Sequence, residues 1–213
     1  MTPQTFQDEV LKRCRPETFR QGETLFHLDD EHGGIYGLIE GGLSISAAPR
    51  DRGPYLVHFG RPGLWVGAAP LFKHKRRVTV TATRLSVLLH LPLSDMHAVA
   101  AEVPDGWRMF GMFPMFLYDL AMGALDDLMI RDPAARCIAV LLRLGDCRDL
   151  NQREVHPIEL DIRQEDVATM SNLSRNAAAT ILRNLEARGV ISLEYRMIKI
   201  IDAEALRTAA KPS

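Results

Sequence analysis

From Asp161 to Asp202 the chain reads DIRQEDVATMSNLSRNAAATILRNLEARGVISLEYRMIKIID, and the order of pattern changes inside this stretch narrows the fold more than any other feature. A helix is expected from about Arg163, with Val167, Ala168 and Met170 turned inward and Asp161 with Gln164 matching a capping box. Ser171-Asn172-Leu173-Ser174 then supplies a tight turn. Ser174 is placed to cap a second helix, because its hydroxyl can accept from a backbone N–H left unpaired at the helix start. Two alternating runs flank Glu194-Tyr195-Arg196, the pattern of a hairpin. Helix, turn, helix and hairpin in one order is much more specific than any part of it. It is the order of a winged helix-turn-helix, whose second helix enters a DNA major groove.

Along that second helix, at about 100° per residue, Ala178, Ile181, Leu182 and Leu185 share one side, and Asn176, Thr180, Arg183 and Ala187 share the other. Alanines at 177 to 179 let the backbone come close to a partner helix or to the floor of a groove, although alanine is also the best helix former and three in a row can mean only that. On the polar side, Asn176 can pair with an adenine edge, Arg175 and Arg183 can reach phosphate or guanine, and Thr180 offers a hydroxyl or a methyl. With the Ser174 cap, these are the candidate DNA contacts.

Ahead of this unit the period is different. ETLFH, YGLIE, LSISA, YLVHF, VTVTATR and SVLLHL alternate with period two, and ten of the fifteen glycines precede residue 70, so turns separate short strands. That pattern reads as a compact antiparallel roll or barrel. From Pro104 to Ile130 apolar residues recur at three and four positions, a helical stripe near a heptad. The stripe can pack on its own roll or form a two-helix dimer seam. The seam reading is preferred, with Phe110, Phe113, Leu117, Ala121, Ala124 and Leu128 facing the partner. Pro114 is expected in the first turn of the main helix, which leaves a seam from about Phe116 to Leu128. DPAARCIAVLLRLGD opens a further helix with Asp132 as N-cap and Pro133 behind it, and a polar loop, CRDLNQREVHP, follows. The fold class is therefore α+β, in three parts: a roll over 1–103, a dimerisation helix over 104–131 and a winged helix-turn-helix over 132–213.

A formal net charge of -1 supplies no global field toward a polyanion. From Asp161 onward eight basic residues face seven acidic ones, so any nucleic-acid contact rests on a local patch and a modest salt slope is expected. Three cysteines, Cys14, Cys137 and Cys147, are too few and too far apart for a disulfide framework or a closed metal site. The first residues fit neither a signal peptide nor a membrane anchor, and no apolar run is long enough to span a bilayer, so a cytoplasmic location is the default. An enzyme of cupin type would need histidines converging on a metal, and His27 and His32 lack the His-x-His spacing. A sensor or scaffold without DNA affinity is a further class, consistent with the near-neutral last part.

Taken together, FRQGETLFHLDD, IYGLIEGGLSIS, Pro62-Gly63 with WVGAAPLF, the Pro104 to Ile130 helix, QEDVATMSNLSRNAAATILRNLEARGVI and IKIIDAEAL resemble the family of the cyclic-AMP receptor protein and the fumarate and nitrate reduction regulator (CRP/FNR) over nearly the whole chain. The resemblance implies a homodimer with a cyclic-nucleotide-binding-like roll that senses an effector, a long helix that joins the subunits, and a winged unit that reads a near-palindromic operator. RNA polymerase is the second implied partner. The effector site departs from the family. Its cyclic-nucleotide binders carry Gly-Glu and then Arg-Ser, where this chain has Gly67-Ala68 and Arg76-Arg77, and the hydroxyl pair that meets the adenine corresponds to Ala121 and Met122. Cyclic AMP is therefore not the expected effector. Arg76 is read as one member of the solvated run KHKRR. Cys14 stands alone where an iron-sulfur branch needs a cluster, and none of His27, His32, His58, His74, His90, His97 and His156 matches a haem ligand. No cofactor is assigned; haem, an apolar small molecule and no effector are the alternatives. The reading helix has Asn176 and Thr180 where many members carry Glu and Arg, so its base preference should differ.

Overall fold

The computed structural model describes residues 4–48, 53–148 and 157–210. The chain divides into two compact units, residues 1–120 and 121–213, and the boundary falls inside one long helix rather than at its ends.

The first unit begins with α1 (Gln4–Arg13), followed by β1 (Arg15–Phe19), β2 (Thr24–Phe26), β3 (Ile35–Glu40), β4 (Leu43–Ala47), β5 (Tyr55–Gly60) and β6 (Trp65–Val66). After a short 3-10 turn, Ala69–Phe72, come β7 (Thr79–Ala82), β8 (Ser86–Leu91), α2 (Leu93–Glu102) and α3 (Gly106–Met129), which continues into the second unit. The strands form two antiparallel sheets, ordered β1-β8-β3-β6 and β2-β7-β4-β5. All six alternating runs are strands here. Their inward residues, among them Phe26, Tyr36, Leu43, Ile45, Val80 and Leu88, build one core from both sheets. Phe6, Ile35, Leu91, Met96, Val99 and Phe110 form a second core that joins α1, α2 and the start of α3 to the roll. β1 carries no alternating signal, because it is an edge strand with Pro16 and mostly exposed side chains, and edge strands need no apolar face. Gly37 is required by a close approach: a Cβ there would lie 2.5 Å from the Trp65 ring.

In the second unit α4 (Pro133–Leu144) starts on the expected cap, the Asp132 carboxylate accepting from Ala135 N–H at 2.6 Å. Then come β9 (Ile158–Leu160), α5 (Gln164–Met170), α6 (Arg175–Ala187), β10 (Ile191–Glu194), β11 (Met197–Ile200) and α7 (Ala203–Ala209). The three strands form an antiparallel sheet in the order β10-β11-β9. The start of α5 differs from expectation. Its N-cap is Arg163, whose backbone N–H donates to the Asp166 carboxylate at 3.0 Å and whose guanidinium donates to the same carboxylate. The cap therefore lies two residues beyond Asp161 and is one-sided, arginine having no acceptor to return. Ser174 caps α6 as expected, accepting from Ala177 N–H at 3.2 Å.

Candidate nucleic-acid interface

The outer side of α6 is built by what its inner side must do. Ala178, Leu182 and Leu185 are buried in the unit's core, and helical periodicity then turns Asn176, Thr180, Arg183 and Ala187 to solvent. The tight turn before α6 is held by Ser171, which is buried and donates its hydroxyl to the Val167 carbonyl at 2.6 Å, and by Asn172, whose φ of +51° suits asparagine.

Three polar side chains on or beside this face have a definite local state. Thr180 donates its hydroxyl to the Asn176 carbonyl at 2.9 Å, which leaves its methyl and an oxygen lone pair facing outward. Arg183 donates Nε–H to the Ala179 carbonyl at 3.2 Å and keeps its remaining guanidinium N–H groups for an acceptor. Arg175 is largely exposed and lies 3.3 Å from Glu165 on α5. Glu165 also pairs with Arg163. No sequence spacing announces the Glu165–Arg175 pair, since only the packing of α5 on α6 brings the two together. The hairpin matches its sequence pattern. Its tip adds two residues that are not among the candidate contacts: β10 and β11 leave Tyr195 and Arg196 as the loop, with Tyr195 91% exposed. An exposed aromatic beside a cation is a surface that can contact a nucleic-acid backbone.

The long helix corrects two expectations. Pro114 lies inside α3, and the helix runs through it from Gly106 to Met129. The predicted partner-facing residues also divide between two sides. Phe110 is 0% exposed in the core of the first unit, and Phe113 and Leu117 pack half-buried against that unit's cores. Ala124 is half-buried, while Ala121 and Leu128 are exposed. Met112, Met115, Phe116, Tyr118, Met122, Leu125, Leu128 and Met129 are the uncovered large apolar residues of α3 from position 112 on, and among them Met115, Tyr118, Met122, Leu125 and Met129 form a row spaced at three and four residues. The helix is apolar nearly all round, so periodicity alone could not choose a face. The roll took Phe110 and Phe113 and left a methionine-rich row outside.

The effector expectation needs correction at Arg76. It is 2% exposed and not part of a solvated run. Its guanidinium donates to the carbonyls of Gly67 at 2.9 Å, Gly34 at 2.9 Å and His32 at 3.2 Å, and stacks 3.8 Å over the Phe26 ring. Burial holds its pKa below the usual arginine range, with the nearby Tyr36 and Asp30 opposing. Gly67 has φ +102°, and a Cβ there would meet Arg76 Nη1 at 2.4 Å, so the glycine leaves the space the guanidinium occupies. Ala68 is buried and presents a methyl, and Arg77 is exposed. Ala121 and Met122 fall in the second unit. His156 lies outside the described residues. Among the described residues no group of three or more His, Cys, Asp or Glu could hold a metal, and no helix is long and apolar enough to cross a membrane.

Residues 16–102 match the family model of the cyclic nucleotide-binding domain, and residues 135–209 that of the Crp-like helix-turn-helix domain. The chain is 23% identical over 205 residues to the CRP-like cAMP-activated global transcriptional regulator of Mycobacterium tuberculosis, covering 95% of this chain and 91% of that protein. Its fold is similar to that of FixK2 from Bradyrhizobium japonicum, with a TM-score of 0.78 at 15% identity over 94% of this chain and 98% of that one. A CRP/FNR family transcriptional regulator from Thermus thermophilus gives a TM-score of 0.68 at 19% identity over 92% of this chain and 98% of that one.

Proposed function

We propose, from the premise that this chain belongs to the CRP/FNR family of DNA-binding transcription regulators, that it acts in the cytoplasm as a homodimer, reads a near-palindromic duplex through α6, and does so without cyclic AMP. The chain is a regulator and not an enzyme. One observation carries the DNA reading: the outer side of α6 is uncovered and bears an amide, a threonine methyl and a guanidinium in one row, Asn176, Thr180 and Arg183. Asn176 can pair with adenine, the Thr180 methyl suits thymine, and Arg183 and Arg175 can reach phosphate or guanine.

The dimer reading is supported by the row Met115, Tyr118, Met122, Leu125 and Met129, whose spacing gives an a/d seam for a second copy of α3. In a dimer two copies of α6 would meet successive major grooves on one side of the duplex, as paired helix-turn-helix units do. RNA polymerase is the further protein partner in this reading.

Independence from cyclic AMP is supported by Arg76. Three of the five N–H donors of this guanidinium are already committed to backbone carbonyls, which leaves only Nε–H and one Nη1–H for a cyclic phosphate. Ala68 offers no acceptor for a ribose hydroxyl.

Selection of bound sequences from a random duplex pool, with and without cyclic AMP and with and without cell extract, tests the proposal. Enrichment of an inverted repeat by the protein alone supports it. Enrichment only after cyclic AMP is added overturns the effector statement, and no enrichment under any condition overturns the whole.

A further inference from the structure

The carboxylate of Asp127, in the last turn of α3, is fully buried, and a buried carboxylate is costly unless it is paired. Its partners are two arginines that follow it in sequence. Arg143, in the last turn of α4, donates Nε–H to Oδ2 at 2.6 Å, and Arg148, just beyond α4, pairs with Oδ1. Gly123, one turn before Asp127, makes room for this contact: a Cβ there would lie 3.2 Å from Arg143 Cδ. A second brace crosses the same joint. Arg136 donates Nη1–H to the Ile130 carbonyl, at the end of α3, and Nε–H to the Ser171 carbonyl, at the end of α5, both at 2.6 Å. Ser171 opens the turn that leads into α6.

Only Ile130, Arg131 and Asp132 connect α3 to α4. A three-residue link permits many angles unless side chains select one. Here the charged braces grip the link from both ends of α4, and the segment carrying Arg148 is itself anchored where the Cys147 carbonyl accepts from Arg207 of α7 at 2.7 Å.

We infer that Asp127, Arg143, Arg148 and Arg136 form a positioning cluster that sets the angle between α3 and the DNA-reading helix α6. It rests on the dimeric DNA reading above, and it adds that the spacing between half-sites is chosen by this joint, while the bases within each half-site are chosen by α6. The cluster itself touches no DNA and acts through α6.

The test measures affinity for duplexes in which the selected half-site is repeated at spacings changed one base pair at a time, and for an isolated half-site. Wild type is compared with Asp127→Asn, Arg148→Ala and Arg136→Lys. Wild type binds one spacing best. The variants keep the half-site affinity, while their preference for that spacing falls about tenfold. Arg148 is partly exposed, so Arg148→Ala reads out even where Asp127→Asn unfolds the joint. Variants that stay folded and keep the wild-type spacing profile overturn the inference with the DNA reading intact. A wild type that binds no half-site and no spacing overturns the DNA reading, and the inference with it.

Discussion

The guanidinium of Arg175, the first residue of α6, lies 3.3 Å from the carboxylate of Glu165 on α5. An exposed pair of this kind contributes about 0–1 kcal/mol, so Arg175 can exchange its carboxylate for a phosphate at little cost. Arg175→Ala should weaken binding to every duplex by a similar factor and lower the salt slope by about one, read from affinity against salt concentration. Glu165→Gln should strengthen binding to unrelated duplexes a few-fold and leave base preference unchanged. A change of preference at one base in either variant would contradict the phosphate role.

The two faces of α3 should respond differently. Leu125, half-exposed on the outer row, should become a dimer breaker as Leu125→Arg, giving a folded monomer in sedimentation whose melting temperature no longer rises with protein concentration. Phe110→Ala should cost about 3–5 kcal/mol of stability, because the ring is fully buried against Phe6 and Phe113. The reverse pattern would return the seam to the phenylalanine row.

Gly67→Ala should destabilise the roll by about 1–3 kcal/mol, since φ +102° strains any side chain and the new methyl would strike Arg76. Thermal unfolding measures it. Cyclic AMP in excess should leave the wild-type melting temperature unmoved, as expected where ligand does not bind the folded state. A rise in melting temperature with nucleotide would contradict the role given to Arg76.

Burial pushes the Cys137 thiol from 9.0 up to about 12 and the Cys14 thiol up to about 11, in each case against the charged thiolate. A folded-state value raised above the unfolded one means that the stability is fully present below pH 9. It is lost as pH climbs from there through the folded values. Melting temperature should therefore fall between about pH 9 and 12, less steeply in Cys137→Ala, and a thiol reagent should not label Cys137 in the folded protein near pH 8.

How far the sequence speaks depends on what competes at each position. The α6 face can be read because one strong demand, a buried row of Ala178, Leu182 and Leu185, leaves no choice for the other side. The proposed dimer row cannot, because α3 is apolar on both faces and the packing of Phe110, Phe113 and Leu117 on the first unit's cores decides which face turns in. Arg76 misleads for a related reason. It stands among exposed Lys73, His74, Lys75 and Arg77, and the cradle of carbonyls that buries it comes from residues 32, 34 and 67. The Asp127 cluster is silent in the sequence, since its arginines lie 16 and 21 residues away and meet it only through helix packing.

The most direct measurement is the base-by-base affinity of the selected operator for wild type and for Asn176→Ala. The expected result is that the variant loses about 1–3 kcal/mol of discrimination at one base position, repeated symmetrically in both half-sites, with the salt slope unchanged. A loss spread evenly over all positions, or confined to one half-site, would contradict the claim that paired copies of this helix face read the duplex.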